Sequence, residues 1–137
     1  MSLERLGVMV DCSRNGVMTP EAAERFIDLI HGFGYRFLMF YTEDTYEIPE
    51  QPLFGHMRGR FSAEEIRRLD EYAAAKGMEL IPCIQTLAHL NGLMHWGKYH
   101  AIRDADDILL AEDEGTYALI EDMFRSLSGM FRSRRAG

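Results

Sequence analysis

At 137 residues and 47% hydrophobic side chains, the chain has the size and apolar content of one ordinary folded domain, which excludes a disordered class. Its formal charge of −7 excludes a surface built for nucleic acid or anionic lipid, since both require clustered Lys and Arg. No apolar stretch reaches the roughly 20 residues of a membrane-spanning helix, and the N-terminus lacks the charged-then-apolar pattern of a leader peptide, so the expected location is cytoplasmic.

In chain order, Leu6 to Val10 is a first short apolar run that ends in Asp11, Cys12, Ser13 and Arg14. Thr19, Pro20 and Glu21 predict a helix start: a capping hydroxyl, proline at the first helical position and an acid in the first turn. Ala23, Phe26, Ile27 and Ile30 follow at helical spacing, and Gly32 and Gly34 can stop that helix. Phe37 to Tyr41 is a continuous apolar run, the pattern of a strand buried on both faces in a parallel sheet. Its polarity flips at Thr42, Glu43 and Asp44, and a long loop from Thr45 to Phe61 carries Pro49, Pro52, Gly55 and Gly59.

Ser62 and Glu65 have the spacing of a capping box, with Ile66, Leu69, Tyr72 and Ala73 as the buried stripe of a second helix ending at Gly77. Glu79 to Ile84 reads as a third strand. Pro82 inside it demands a strand edge or a bulge, because proline donates no ladder hydrogen bond. Leu90 to Ala111 reads as irregular. A last helix is predicted over Asp113 to Leu127, with Tyr117, Ile120, Met123, Phe124 and Leu127 on its apolar side. Arg132, Arg134 and Arg135 read as a solvated chain end.

Alternation of strand and helix, three times over, makes this an α/β chain with a parallel sheet and all strand tips on one side. Arg14, Glu43, Asp44 and His89 would then converge beyond the carboxyl ends of the strands, where such proteins hold their chemistry. Tyr41 and Tyr46 flank the acidic pair, and Trp96 offers either a ring for sugar stacking or a packing group. Cys12 and Cys83 lack metal-site spacing and read as reduced thiols. Asp104, Asp106 and Asp107 lack the ligand spacing and glycine of a calcium loop, so no metal or cofactor is expected.

The stretches DCSRNG (Asp11 to Gly16), YTEDTYEIPEQPLFGHMRGRF (Tyr41 to Phe61), PCIQTLAHLN (Pro82 to Asn91) and IRDADDILL (Ile102 to Leu110) resemble glycoside hydrolase family 20, the β-N-acetylhexosaminidases. The resemblance runs from about Leu6 to Arg135. It implies a partial (β/α)8 TIM barrel, about the first three βα units over residues 1–137, stopping before the fourth strand. It implies that Arg14 binds sugar hydroxyls, that Glu43 and Asp44 are the acidic pair after the second strand, and that His89 supports the site from behind. Gln85 stands where many members carry Asp.

The family's catalytic Asp-Glu pair follows the fourth strand. The resemblance therefore implies no catalytic pair in this chain, only supporting residues Glu43, Asp44 and His89 and substrate contacts from Arg14, Glu43 and Asp44, to which the reading of the residues adds Tyr41 and Trp96 as candidate substrate contacts. The implied parent reaction is substrate-assisted, retaining removal of terminal β-linked N-acetylhexosamine from glycans. The alternative is a non-catalytic sugar-binding or assembly module. Either way, an open sheet edge predicts a homo-oligomer or association through that edge.

Overall fold

Three apolar runs and two helix-start signals frame the computed structural model, which describes residues 5–133 and 135. Strands β1 (Gly7–Asp11), β2 (Phe37–Thr42) and β3 (Glu79–Ile84) form one parallel sheet in the order β1-β2-β3. The strands are in step: Gly7 lies opposite Phe37 and Phe37 opposite Glu79, while Asp11 lies opposite Tyr41 and Tyr41 opposite Cys83. All three tips therefore end at one level.

Helix α1 (Pro20–Gly32) starts where its caps predict, with the Thr19 hydroxyl accepting from Ala22 N at 3.3 Å. It stops before Gly34, whose φ of 87° is the left-handed conformation that glycine adopts without strain. Helix α2 (Ala63–Ala75) opens with the full capping box: Glu65 N donates to Ser62 Oγ at 3.2 Å, and Ser62 N to the Glu65 carboxylate at 2.8 Å. Both helices lie on one face of the sheet. There Ala23, Ile27, Ile66 and Leu69 are packed with Leu38, Phe40 and Leu80 in the core.

The Phe37–Tyr41 run differs from its sequence reading. Its burial alternates, with Leu38, Phe40 and Thr42 buried and Phe37, Met39 and Tyr41 only half-buried. Helices cover one face of the sheet, while the other is the inner wall of a barrel segment, so residues of equal hydrophobicity end in different surroundings.

The loop from Thr45 to Phe61 is folded inward rather than solvated. Tyr46, Ile48, Phe54 and Phe61 are buried, Tyr46 and Phe61 form a bridge, and the Phe61 ring stacks on Phe40 at 5.3 Å. Residues 90–111 are likewise not irregular. They form a short helix α3 (Asn91–Met94), a 3-10 turn (Gly97–Ile102) and a small hairpin of β4 (Arg103–Ala105) and β5 (Ile108–Leu109). Leu109 N donates to Leu87 O at 2.8 Å, which ties the hairpin to the loop after β3. Segments this short carry little periodicity to read.

Helix α4 (Glu114–Met130) buries Thr116, Leu119, Met123, Leu127 and Met130. Tyr117 and Phe124, expected on the apolar side, are 56% and 50% exposed. The two aromatic rings suggested a stripe rotated away from the face that meets α2. Phe124 instead lines a cleft of about 270 Å³ with Pro82, Leu127 and Phe131, beside the outer edge of β3.

The C-terminal arginines are not simply solvated. Arg132 reaches Glu71 at 3.1 Å and the buried Asp70 at 3.4 Å, and Arg135 reaches Glu79 at 3.7 Å. Arg134 lies outside the described residues.

Pro82 occupies a strand edge. Glu79 N donates to Arg36 O at 3.0 Å, and strand residues alternate the direction of their N–H groups. Ile81 and Cys83 therefore also face β2, while the Pro82 position faces outward. Among the described residues, no strand pairs with the outer side of β3 or of β1, and no helix is long and apolar enough to cross a membrane.

Candidate functional site

The loop leaving β1 is built around Asp11. Its Oδ1 accepts from Ser13 N at 2.8 Å and from the Ser13 hydroxyl at 2.6 Å, a local turn that acidic residues favour. These hydrogen bonds, the hydroxyl's first, hold the Asp11 carboxyl below its ordinary value of 3.8. Arg14 follows at the rim. Its Nη1 donates to Ser13 Oγ at 3.0 Å and to Glu43 Oε1 at 2.6 Å.

Arg14 and Glu43 thus join the tips of β1 and β2. The two ends of this ion pair are unequal, with the Arg14 side chain 64% exposed and Glu43 only 5%. A fixed carboxylate holds an accessible guanidinium, whose pKa is raised chiefly by the hydrogen bond to Glu43. Tyr41 reaches Glu43 Oε1 at 3.5 Å, and partial burial raises its hydroxyl. A guanidinium fork beside a carboxylate and a phenol can bind a polyhydroxylated ring.

Asp44 points elsewhere. It is 1% exposed and pairs through Oδ1 with Arg58 Nε at 3.2 Å. Burial raises its carboxyl above 3.8, and the Arg58 charge opposes that shift. Arg58 also donates from Nη1 to Asn15 Oδ1 at 3.3 Å and from Nη2 to Ser13 O at 2.5 Å. Two glycines make room for this knot. A Cβ on Gly55, at φ 63°, would stand 1.9 Å from the Asp44 carbonyl oxygen, and one on Gly92 would stand 2.4 Å from Asp44 Oδ2.

His89 and Trp96 make their contacts with other partners than Arg14. His89 Nδ1 lies 3.7 Å from Asp107 Oδ2 of the hairpin, and its side chain is 58% exposed. Trp96 is half-buried and meets the His56 ring edge-on at 5.3 Å. Tyr46 is wholly internal, packed edge-on against Phe54 at 5.0 Å, and burial drives its hydroxyl pKa up.

Among the described residues, the non-glycine residues with positive φ are Asn15 at 63°, Met57 at 61° and His89 at 60°, one after each strand of the parallel sheet. Such backbone costs roughly 1–3 kcal/mol apiece and clusters where function demands it. Arg58 and Asp107 carried no role in the sequence reading, although both lie within the stretches quoted above. An arginine between Met57 and Gly59, in a loop that begins with two acids, was the available signal for the first.

A three-unit parallel β/α wall with a polar rim at its strand tips defines the class: a segment of a β/α barrel. Within that class the chain is similar to solved glycoside hydrolase family 20 structures. Against the exo-β-N-acetylglucosaminidase from Vibrio harveyi in complex with N-acetylglucosamine the TM-score is 0.86 at 18% identity, covering 96% of this chain and 26% of that one. Against the Streptomyces plicatus N-acetyl-β-hexosaminidase it is 0.82 at 18% identity, covering 95% and 31%. Against the β-N-acetylhexosaminidase from Streptomyces coelicolor A3(2) it is 0.81 at 18% identity, again covering 95% and 31%. The chain thus spans about a quarter to a third of these structures, and at such identity the likeness is one of fold. No family model matches the chain, and no curated protein matches it.

Proposed function

We propose that this chain is the first part of a family 20 type β-N-acetylhexosaminidase barrel, ending before the fourth strand, and that it supplies the wall that grips the terminal sugar. The observation that carries this reading is the Arg14–Glu43 pair, a buried carboxylate holding an exposed guanidinium at the tips of adjacent strands, in a fold shared with enzymes of that name. Arg14 donates to ring hydroxyls of a terminal β-linked N-acetylglucosamine or N-acetylgalactosamine. Glu43 and Tyr41 fix that guanidinium, Asp44 supports them from beneath, and His89 and Trp96 line the rim further along.

Hydrolysis in this reading is substrate-assisted and retaining. The sugar's own acetamido oxygen attacks the anomeric carbon while an acid protonates the leaving oxygen, and both the acid and the residue orienting the acetamido group come from beyond the third β/α unit. The chain by itself binds without turning over. Acid catalysis alone is worth roughly 10²–10⁴-fold, so cleavage of an aryl N-acetyl-β-hexosaminide should fall below a full-length enzyme by at least that factor.

Titrating the chain with N-acetylglucosamine, and in parallel with glucose, is the test. Selective shifts at Arg14 and Tyr41 that vanish in Arg14→Ala support the reading, and no response to either sugar overturns it. Sugar binding with no turnover even after the chain is joined to barrel strands bearing an Asp-Glu pair would favour a non-catalytic module. The outer edges of β1 and β3 and the 60%-exposed Met9 on the inner wall are met by further barrel strands or by a second copy. Light scattering at low micromolar concentration reports which, a stable monomer being the result against association.

A further inference from the structure

We propose that Arg58 is a positioning residue: a guanidinium keystone that sets the Arg14-bearing loop by clamping the ends of β1 and β2 together. This rests on the sugar-binding reading only for what Arg14 does, not for how Arg14 is held.

Each guanidinium nitrogen of Arg58 meets a different group. Nε goes to Asp44 Oδ1 at 3.2 Å, Nη1 to Asn15 Oδ1 at 3.3 Å and Nη2 to the Ser13 carbonyl at 2.5 Å. Ser13 and Asn15 are the immediate neighbours of Arg14, so the two bonds to the β1 loop straddle the sugar-contacting residue. The third bond runs to Asp44, the neighbour of Glu43. One side chain therefore fixes the residues beside both partners of the Arg14–Glu43 pair.

The anchor is stiff where it has to be. Asp44 is 1% exposed while Arg58 keeps 23% of its side chain accessible, so the buried end defines the geometry. Asp44 Oδ2 has no hydrogen-bond partner among the described residues, and Arg58 is the cation paired with this buried carboxylate, so removing it leaves a buried charge without its partner. Helix α3 closes the knot from the far side: a Cβ on its Gly92 would lie 2.4 Å from Asp44 Oδ2 and 3.2 Å from the Arg58 Cζ. Two of the three left-handed non-glycine residues, Asn15 and Met57, flank the clamp in space and in sequence. Strain of that kind persists only where surrounding bonds hold it. Lysine cannot reproduce the clamp, because an ammonium is a point charge and not a planar fork.

Amide exchange and relaxation NMR on the labelled chain carry the test. In Arg58→Ala, exchange at Ser13 and Asn15 should rise at least tenfold while Leu38 and Phe40 in β2 change less than twofold. Arg58→Lys should restore the denaturation midpoint by recharging the site opposite Asp44, yet leave the Ser13–Asn15 loop mobile. A purely structural role would not produce that split. Asn15→Ala, which removes one limb and spares the buried pair, gives the loop readout if Arg58→Ala does not fold.

Loop exchange within twofold of wild type in these variants, or full recovery of loop order by lysine, overturns the proposal. With N-acetylglucosamine as probe, Arg58→Lys should weaken binding by three- to tenfold. If the wild-type chain ignores the sugar, the functional reading fails, while the loop measurements still decide the role of Arg58.

Discussion

The two faces of the sheet are made from alternate residues of the same strands, yet they live in different solvents. On the helix-covered face, Leu38, Phe40 and Leu80 are between 0% and 2% exposed, packed in one core with residues of α1, α2 and the Phe61 loop, while Val8 and Val10 of the edge strand are half-buried. On the inner face, Met9 is 60% exposed, and the layer that starts at Asp11, Tyr41 and Cys83 rises into the polar rim. Along one inner row exposure falls across the sheet, from Met9 at 60% through half-buried Met39 to Ile81 at 5%. Stability of the chain therefore comes chiefly from the outer face, while the proposed sugar contacts stand at the strand tips beside the inner one.

The largest effect that could break this contrast is at Phe40. Replacing it with Ala removes a buried ring stacked on Phe61 and should cost about 3–5 kcal/mol, whereas Met9→Ala should cost less than about 1 kcal/mol. Urea denaturation of the two variants measures both, and equal losses would erase the distinction between faces.

Thiol chemistry sharpens it further. Cys12 is fully buried and its thiol is pushed up to about 11, chiefly by burial, while Cys83 is only half-buried and raised by the same cause. At pH 8, iodoacetamide should label Cys83 at least tenfold faster than Cys12, since the thiolate is the reactive form. Mass spectrometry of timed digests gives the ratio.

A smaller change is expected at the start of α2, which helps to cover the outer face. Ser62→Ala removes one half of a reciprocal cap and should cost about 1 kcal/mol by thermal or chemical unfolding.

The smallest concerns the rim. Asp11 has a depressed folded pKa, so its contribution is present above 3.8 and is lost as pH falls through the lower folded value. Ser13→Ala deletes the stronger of its two hydrogen bonds. It should move the Asp11 titration, followed by carboxyl NMR, back towards 3.8 and flatten the acid limb of stability.

The helix starts were legible because each depends on local chemistry: Thr19-Pro20-Glu21 and Ser62-Glu65 cap in the structure as their spacing predicts. Strand order was legible too, since three apolar runs separated by helices leave parallel pairing with right-handed crossovers as the natural solution. Burial on each side of β2 was not, because Met39 and Phe40 are alike in hydrophobicity and only the assembled layers separate them. Tyr117 and Phe124 misled in the same way, being large apolar residues on a face that neither α2 nor the sheet covers. At the site, Arg14 and Glu43 were legible as residues at strand tips. Arg58 was not, because its three partners lie 14 to 45 positions away in the chain and no periodicity links them.

Pro82 gives the outer edge of β3 a reading frame. A strand arriving there finds outward N–H groups at Leu80 and Ile84 but none between them, so one of its carbonyls goes unanswered, a deficit of about 1 kcal/mol. A regular, indefinitely repeating ladder meets that deficit in every copy, which discourages stacking of this chain upon itself. A strand that places a bulge or a water molecule opposite Pro82 avoids the penalty altogether. The edge is thus not merely open but selective, admitting the neighbour whose irregularity matches its own.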